Sequence, residues 1–179
     1  MRKMVDDYEA ALPKDAWPNW VLGNHDQHRL ATRIGHKQAR VGNMLLLTLR
    51  GAPTCYYGDE IGMGDNIWLD DRNGVRTPMQ WDDSPNGGYS SALAEQLYTP
   101  VISDEVYGPA RVNVKAQRSD PNSLFHTIRQ MIAIRKKHKA FGRGDFHWVE
   151  CGTKAVSAHT RTLDGKSLLI FNNLSGQSQ

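Results

Sequence analysis

The chain has 179 residues, with 39% hydrophobic and 23% charged residues, which is the composition of a water-soluble globular chain of about one domain. No apolar run approaches the roughly 20 residues of a membrane span, and the segment after Met1-Arg2-Lys3 is amphipathic and acidic, so a cytoplasmic location is expected. The net charge of +3 gives no reason to expect nucleic acid or a membrane surface as partner, and Cys55 and Cys151 have neither zinc-ligand spacing nor the number for a disulfide framework.

The periodicity predicts a helix over 2–12, with Met4, Val5, Tyr8 and Leu12 on one face and Pro13 as its stop. Trp20-Val21-Leu22 is a short apolar run closed by Gly23, the pattern of a strand buried on both faces of a parallel sheet. A helix is expected over 37–50, with Val41, Met44, Leu45 and Leu49 on one face and Gly51 and Pro53 ending it. Thr54-Cys55-Tyr56-Tyr57 follows as a second strand, ended by Gly58. Strand, helix and strand in this span have the size of a βαβ unit. Residues 62–118 are rich in Gly, Asn, Asp and Pro and show no sustained period, so a long functional loop is expected.

A further helix is expected with Asp120 as N-cap and Pro121 in its first position, burying Leu124, Phe125, Ile128, Met131 and Ile132. Arg135-Lys136-Lys137-His138-Lys139 crowds its end and is read as a solvated helix terminus complementing the macrodipole. After Gly144 the period becomes two, with strands at Phe146–Val149, Ala155–Thr160 and Ser167–Phe171 and a tight turn at Asp164-Gly165. The expected division is therefore residues 1–144 and a β-rich segment over 145–179. One βαβ unit and one helix cannot close a barrel or cover a parallel sheet, so an N-terminal portion is expected to be missing, and the chain alone to fold poorly and be inactive.

Polar groups at the C-terminal ends of parallel strands are the first place to seek chemistry. Asn24-His25-Asp26 follows the first strand. A carboxylate there can accept from vicinal sugar hydroxyls and stabilise positive charge developing on a sugar; a loop Asp capping the next helix is the plainer alternative. Asp59-Glu60 follows the second strand, and neighbours on an extended chain would diverge. Asp65, Asn66, Asp70, Asp71 and Asn73 fail EF-hand spacing about Gly74, so a solvated loop is expected and no cofactor is assigned, with another kind of calcium site as the alternative. Arg72 and Arg76 beside these acids suit either a substrate arginine or a surface ion pair.

Three segments carry a family resemblance. Trp20-Val21-Leu22-Gly23-Asn24-His25-Asp26 resembles the conserved segment ending the seventh barrel strand of the alpha-amylase family of glycoside hydrolases. Gly51 through Gly62 resembles its eighth strand, and Arg76-Thr77-Pro78-Met79-Gln80-Trp81 resembles the loop that follows in its glucosidase and trehalose-synthase branches. The resemblance implies the C-terminal part of a (β/α)8 barrel, including strands 7 and 8, followed by the start of an antiparallel β domain. It also implies a retaining mechanism on small α-glucosides such as maltose, trehalose or maltooligosaccharides. In that mechanism Asp26 is the transition-state carboxylate, His25 and Arg76 bind substrate, and the nucleophile and acid/base come from earlier strands. Gly64–Leu69 and Asp71–Arg76 look most like trehalose synthases, which convert maltose to trehalose. Ala16–Trp20, Gln27-His28-Arg29-Leu30, and Gln27 where an acid usually follows Asn-His-Asp look more like exo-acting α-glucosidases. A non-catalytic amylase-like binding domain is the alternative from another class, and retention of Asn24-His25-Asp26 argues against it.

Overall fold

The computed structural model describes residues 1–177, so the last two positions of the expected 145–179 segment lie outside the described residues. The first helix, α1, runs Arg2–Ala11; Leu12 turns to an extended backbone, as the residue before a proline must. Only Val5 of its expected face is buried, and Met4 and Tyr8 stay exposed.

Strand β1 (Asn19–Val21), helix α2 (Leu30–Thr48) and strand β2 (Ala52–Thr54) form the expected βαβ unit, with parallel pairing from Asn19↔Ala52 to Val21↔Thr54. Three details differ from expectation. β2 lies earlier than Thr54–Tyr57, because Tyr56 and Tyr57 answer to other partners: their hydroxyls donate to the Val75 and Thr77 carbonyls at 3.1 and 2.6 Å. Burial on both faces does not hold either, since Val21 is 42% exposed; a two-stranded sheet has too few neighbours to cover it. Finally, α2 starts at Leu30 and continues through a break at Gly35 (φ 78°). It buries Leu46 and Leu47 as well as Leu49, leaving Val41, Met44 and Leu45 half-buried.

Residues 62–118 are an ordered layer rather than a bare loop. Ile61, Met63, Met79, Ile102 and Val112 form a core of their own, with Tyr107 and Phe125 packed against it. Gln80 is fully buried, and its Nε2 donates to the Tyr107 carbonyl at 2.9 Å and to the Val112 carbonyl. The segment ends in α3 (Val114–Ser119), whose N-cap Asn113 accepts from Ala116 N.

Asp120 is not the N-cap of the next helix. It closes α3, and its carboxylate accepts from Asn122 N at 2.9 Å in a local turn. Ser123 takes the cap instead, and α4 runs Leu124–Lys137. Leu124 and Ile128 are buried against Leu47 of α2 with Met131 partly buried, while Ile132 faces outward. A short α5 (Ala140–Arg143) leads into the antiparallel sheet β3 (Asp145–Val149), β4 (Val156–Leu163) and β5 (Lys166–Asn173). The β4–β5 turn is at Asp164-Gly165, both at positive φ (51° and 73°), the geometry of the twisted two-residue hairpin turn.

Arg161 on β4 ties this sheet to the helices. Fully buried, it donates to Thr48 O at the end of α2 (3.2 Å) and to Phe141 O (2.6 Å) and Gly144 O (2.8 Å) at α5. Among the described residues no helix is long and apolar enough to cross a membrane.

Candidate active site

β1 delivers the chain through buried Gly23 into the Asn24–Gln27 turn. The Asn24 side-chain oxygen accepts from Asp26 N at 2.8 Å, closing an Asx turn that sets Asp26 at the C-terminal end of the strand. One Asp26 oxygen, Oδ1, accepts from Arg72 Nη1 at 2.6 Å and Arg76 Nη2 at 3.1 Å. The other, Oδ2, lies 3.3 Å from His25 Nε2. Arg76 is tied back to the same turn by its Nε, which donates to His25 O at 2.9 Å. The Arg72 hydrogen bond, helped by His25 and Arg76, holds the Asp26 carboxyl below the ordinary carboxylate range. The three residues singled out from sequence thus lie together. Arg72, weighed there only beside an ion-pair reading, makes the shorter contact with Asp26; its backbone is in the 3-10 turn Asp71–Val75, and it also pairs with Asp71 at 3.2 Å.

Below this turn sits a second, buried set of charges. Arg29 is 0% exposed; it donates to the Tyr57 carbonyl at 2.5 Å and the Val75 carbonyl at 3.0 Å, and its guanidinium lies over the Tyr56 and Tyr57 rings. Asp65, one of the acids weighed as a calcium ligand, is buried and accepts from Arg29 N (2.8 Å) and pairs with His28 Nδ1 (2.5 Å). Among the described residues no three His, Cys, Asp or Glu side chains group as a metal site.

After β2, Gly58 turns at φ 86°, where a Cβ would lie 2.6 Å from Met63 Sδ; only glycine fits both demands. The following residues are a 3-10 turn, Asp59–Ile61, not the extended chain expected. Asp59 and Glu60 still part company. Asp59 is 4% exposed and lies against Gly23, where a Cβ would meet its Oδ2 at 3.4 Å. Burial pushes its carboxyl up to about 6, against the opposing pull of Arg29, and its Oδ1 has no hydrogen-bond partner among the described residues. Glu60 instead lines a cavity of about 440 Å³ with Tyr57, Arg76, Trp81, Tyr89 and Tyr98. Asp26 is not in that lining; Arg76 belongs to both.

Residues 1–144 match the family model described as Alpha amylase, catalytic domain. The chain belongs to this family. It is 49% identical over 155 residues to the trehalose synthase of Pimelobacter sp., covering 83% of this chain and 27% of that protein. It is 33% identical over 197 aligned positions to the alpha-glucosidase of Apis mellifera, covering 99% of this chain and 34% of that protein. In fold it is similar to the trehalulose synthase MutB of Pseudomonas mesoacidophila, with a TM-score of 0.86 at 24% identity over 98% of this chain and 38% of that one. The chain therefore spans about a quarter of the length of the trehalose synthase it matches.

Proposed function

We propose that the chain supplies one carboxylate and the adjoining substrate loop to the barrel of a retaining α-glucoside-active enzyme, and that this enzyme is a trehalose synthase acting on maltose. The single observation that carries this is Asp26 at the end of a parallel strand, ionised and held by Arg72, Arg76 and His25. In the mechanism, Asp26 accepts hydroxyls of the glucosyl ring and stabilises the positive charge that grows on it as the glycosidic bond breaks. Arg76 fixes the carboxylate and reaches the substrate cavity, and His25 donates to a neighbouring sugar hydroxyl. The nucleophile and the acid/base belong to other strands of the same barrel. β1 and β2 are then its seventh and eighth strands, 1–144 is barrel, and 145–179 opens a C-terminal β domain. Helix α1 is docked on the β3–β5 sheet, where Arg2 donates to the Val149 carbonyl at 2.7 Å.

A second possibility, an exo-acting α-glucosidase, is favoured by one residue. Gln27 stands directly after Asp26 and adds no negative charge beside it. The two differ in the fate of the freed glucose. With maltose as substrate for the complete barrel, trehalose as main product supports the isomerase. Glucose as sole product supports the hydrolase, and no turnover despite correct folding contradicts both.

A further inference from the structure

A second hollow, of about 320 Å³, opens between the first half of α2 and the residues that lead into α4. It lies at the lower end of the roughly 300–1,000 Å³ of small-ligand sites. Its polar walls are His36, Lys37 and Arg40 from α2, Arg111 from the 62–118 layer, and Asp120 and Ser123 just before α4. Its apolar floor is Ile61 and Val112, two members of the core of that layer. All of these residues belong to this chain, so the hollow is complete without other strands of the barrel. It also lies close to the site already described: Ile61 ends the turn Asp59–Ile61, and Glu60 of the same turn lines the aromatic cavity.

The charges around it are unequal. The permanent cations Lys37, Arg40 and Arg111 line it with a single carboxylate, Asp120. That carboxylate is committed to its own turn, where it accepts from Asn122 N at 2.9 Å. Arg40 is held in place, because its terminal nitrogens donate to Thr127 Oγ1 and to the Asn122 carbonyl. His36 is held too, with Nε2 donating to the Gly62 carbonyl at 2.9 Å and the ring edge-on to Tyr107. The side chains of Lys37 and Arg111 form no hydrogen bond or ion pair with any described residue. Like charges gathered at one concave place raise its potential and draw in a counter-ion.

We propose that this hollow between α2 and α4 is an anion site that takes the phosphate group of a small molecule, with Lys37 and Arg111 as its free donors and Arg40 as its fixed wall. A phosphate carries about −1.5 to −2 charges near neutral pH and three acceptor oxygens. It can therefore answer a lysine and the planar fork of an arginine at once. A carboxylate brings one charge and two oxygens, which leaves one of the two free cations unanswered. A purely apolar ligand would strip water from the cations and give nothing back. The Ile61 and Val112 floor suits the carbon part of a phosphate ester. Asp26 takes no part in this site, so the proposal stands apart from the role given to that residue.

The test uses the complete barrel that carries this chain, titrated by isothermal calorimetry with inorganic phosphate and with glycerol 3-phosphate at one fixed ionic strength. At least one probe should bind saturably, with a Kd of about 1 mM or tighter. Tighter binding of glycerol 3-phosphate marks an ester as the ligand, and tighter or equal binding of inorganic phosphate marks the free ion. The double variant Lys37→Gln, Arg111→Gln should weaken that probe about tenfold or more. The double variant Lys14→Gln, Lys166→Gln removes the same charge from exposed positions outside the hollow and should leave affinity within about twofold. Circular dichroism checks that both variants fold. No saturable binding of either probe to the parent, an unchanged affinity in the Lys37 and Arg111 variant, or an equal loss in both double variants would overturn the proposal.

Discussion

At the scale of single residues, the site turns on how one carboxylate is kept charged in the open. Asp26 is exposed, so water alone would leave it an ordinary acid; the Arg72 contact at 2.6 Å does most to lower its pKa. Arg72→Ala should therefore return the Asp26 carboxyl toward its usual range, with Arg76 and His25 still in place. Titration of the side-chain carboxyl by carbon NMR reads this directly, and an unmoved midpoint would show that Arg72 is only a surface partner. The strand-end position of Asp26 and His25 was legible from a polar triplet after a short apolar run, while the roles proposed for them come from the family resemblance. Arg72 was legible only as a cation among acids. Its reach to Asp26 depends on the turn at Asp71–Val75, where Asp71 sits at φ 51°, and nothing in local residue type announces that turn. Trp81, Tyr89 and Tyr98 were hidden for a related reason, since they converge through a segment with no period to read.

At the scale of elements, existence and type were readable while edges and faces were not. The order and type of the βαβ unit, α1, α4 and the three late strands follow the apolar spacing, with their ends displaced: β2 is Ala52–Thr54 and α2 begins at Leu30. The start of α4 moved because Asp120 and Ser123 compete for one capping role. Asp120 lost it by closing its own turn with Asn122. The second strand moved because the Tyr56 and Tyr57 hydroxyls have distant partners. The β3–β5 sheet holds a chemical liability that no period reveals. His159 on β4 is 0% exposed and packed against the Phe146 and Trp148 rings, with the end of α2 at Thr48 as its nearest polar neighbour.

Burial pulls the His159 pKa down to about 4, against about 6.5 in an unfolded chain. A lowered pKa in the fold means that its share of stability is present above about pH 6.5. That share is lost as pH falls through about 4, an effect of up to about 3 kcal/mol. His159→Leu should remove this dependence, flattening stability between pH 6.5 and 4 in urea unfolding followed by circular dichroism. An equally steep decline in the variant would place the acid sensitivity elsewhere.

At the scale of the whole molecule, a two-stranded parallel sheet is joined through α2 and α4 to a three-stranded antiparallel sheet, with Arg161 as the pin at their junction. The layer over 62–118 lies on the Asp26 side, where its arginines and aromatic rings meet the strand ends. Two paired strands leave outer edges and apolar side chains such as Val21 uncovered, which supports the proposal that they belong in a larger closed sheet. The uncovered edges were legible from the count of strands alone. The orphaned oxygen of Asp59, facing the interior beside Gly23, was not, because burial of one member of an Asp-Glu pair is set by the turn that carries it.

The most direct measurement is the turnover of maltose by the complete barrel with Asp26→Asn, compared with the parent. Replacing the carboxylate with its neutral isostere removes transition-state charge stabilisation while keeping shape. Turnover number should fall roughly hundred- to thousandfold or more, with folding intact by circular dichroism. A variant that keeps its turnover number within a fewfold of the parent would contradict the assignment of Asp26 to the reacting sugar.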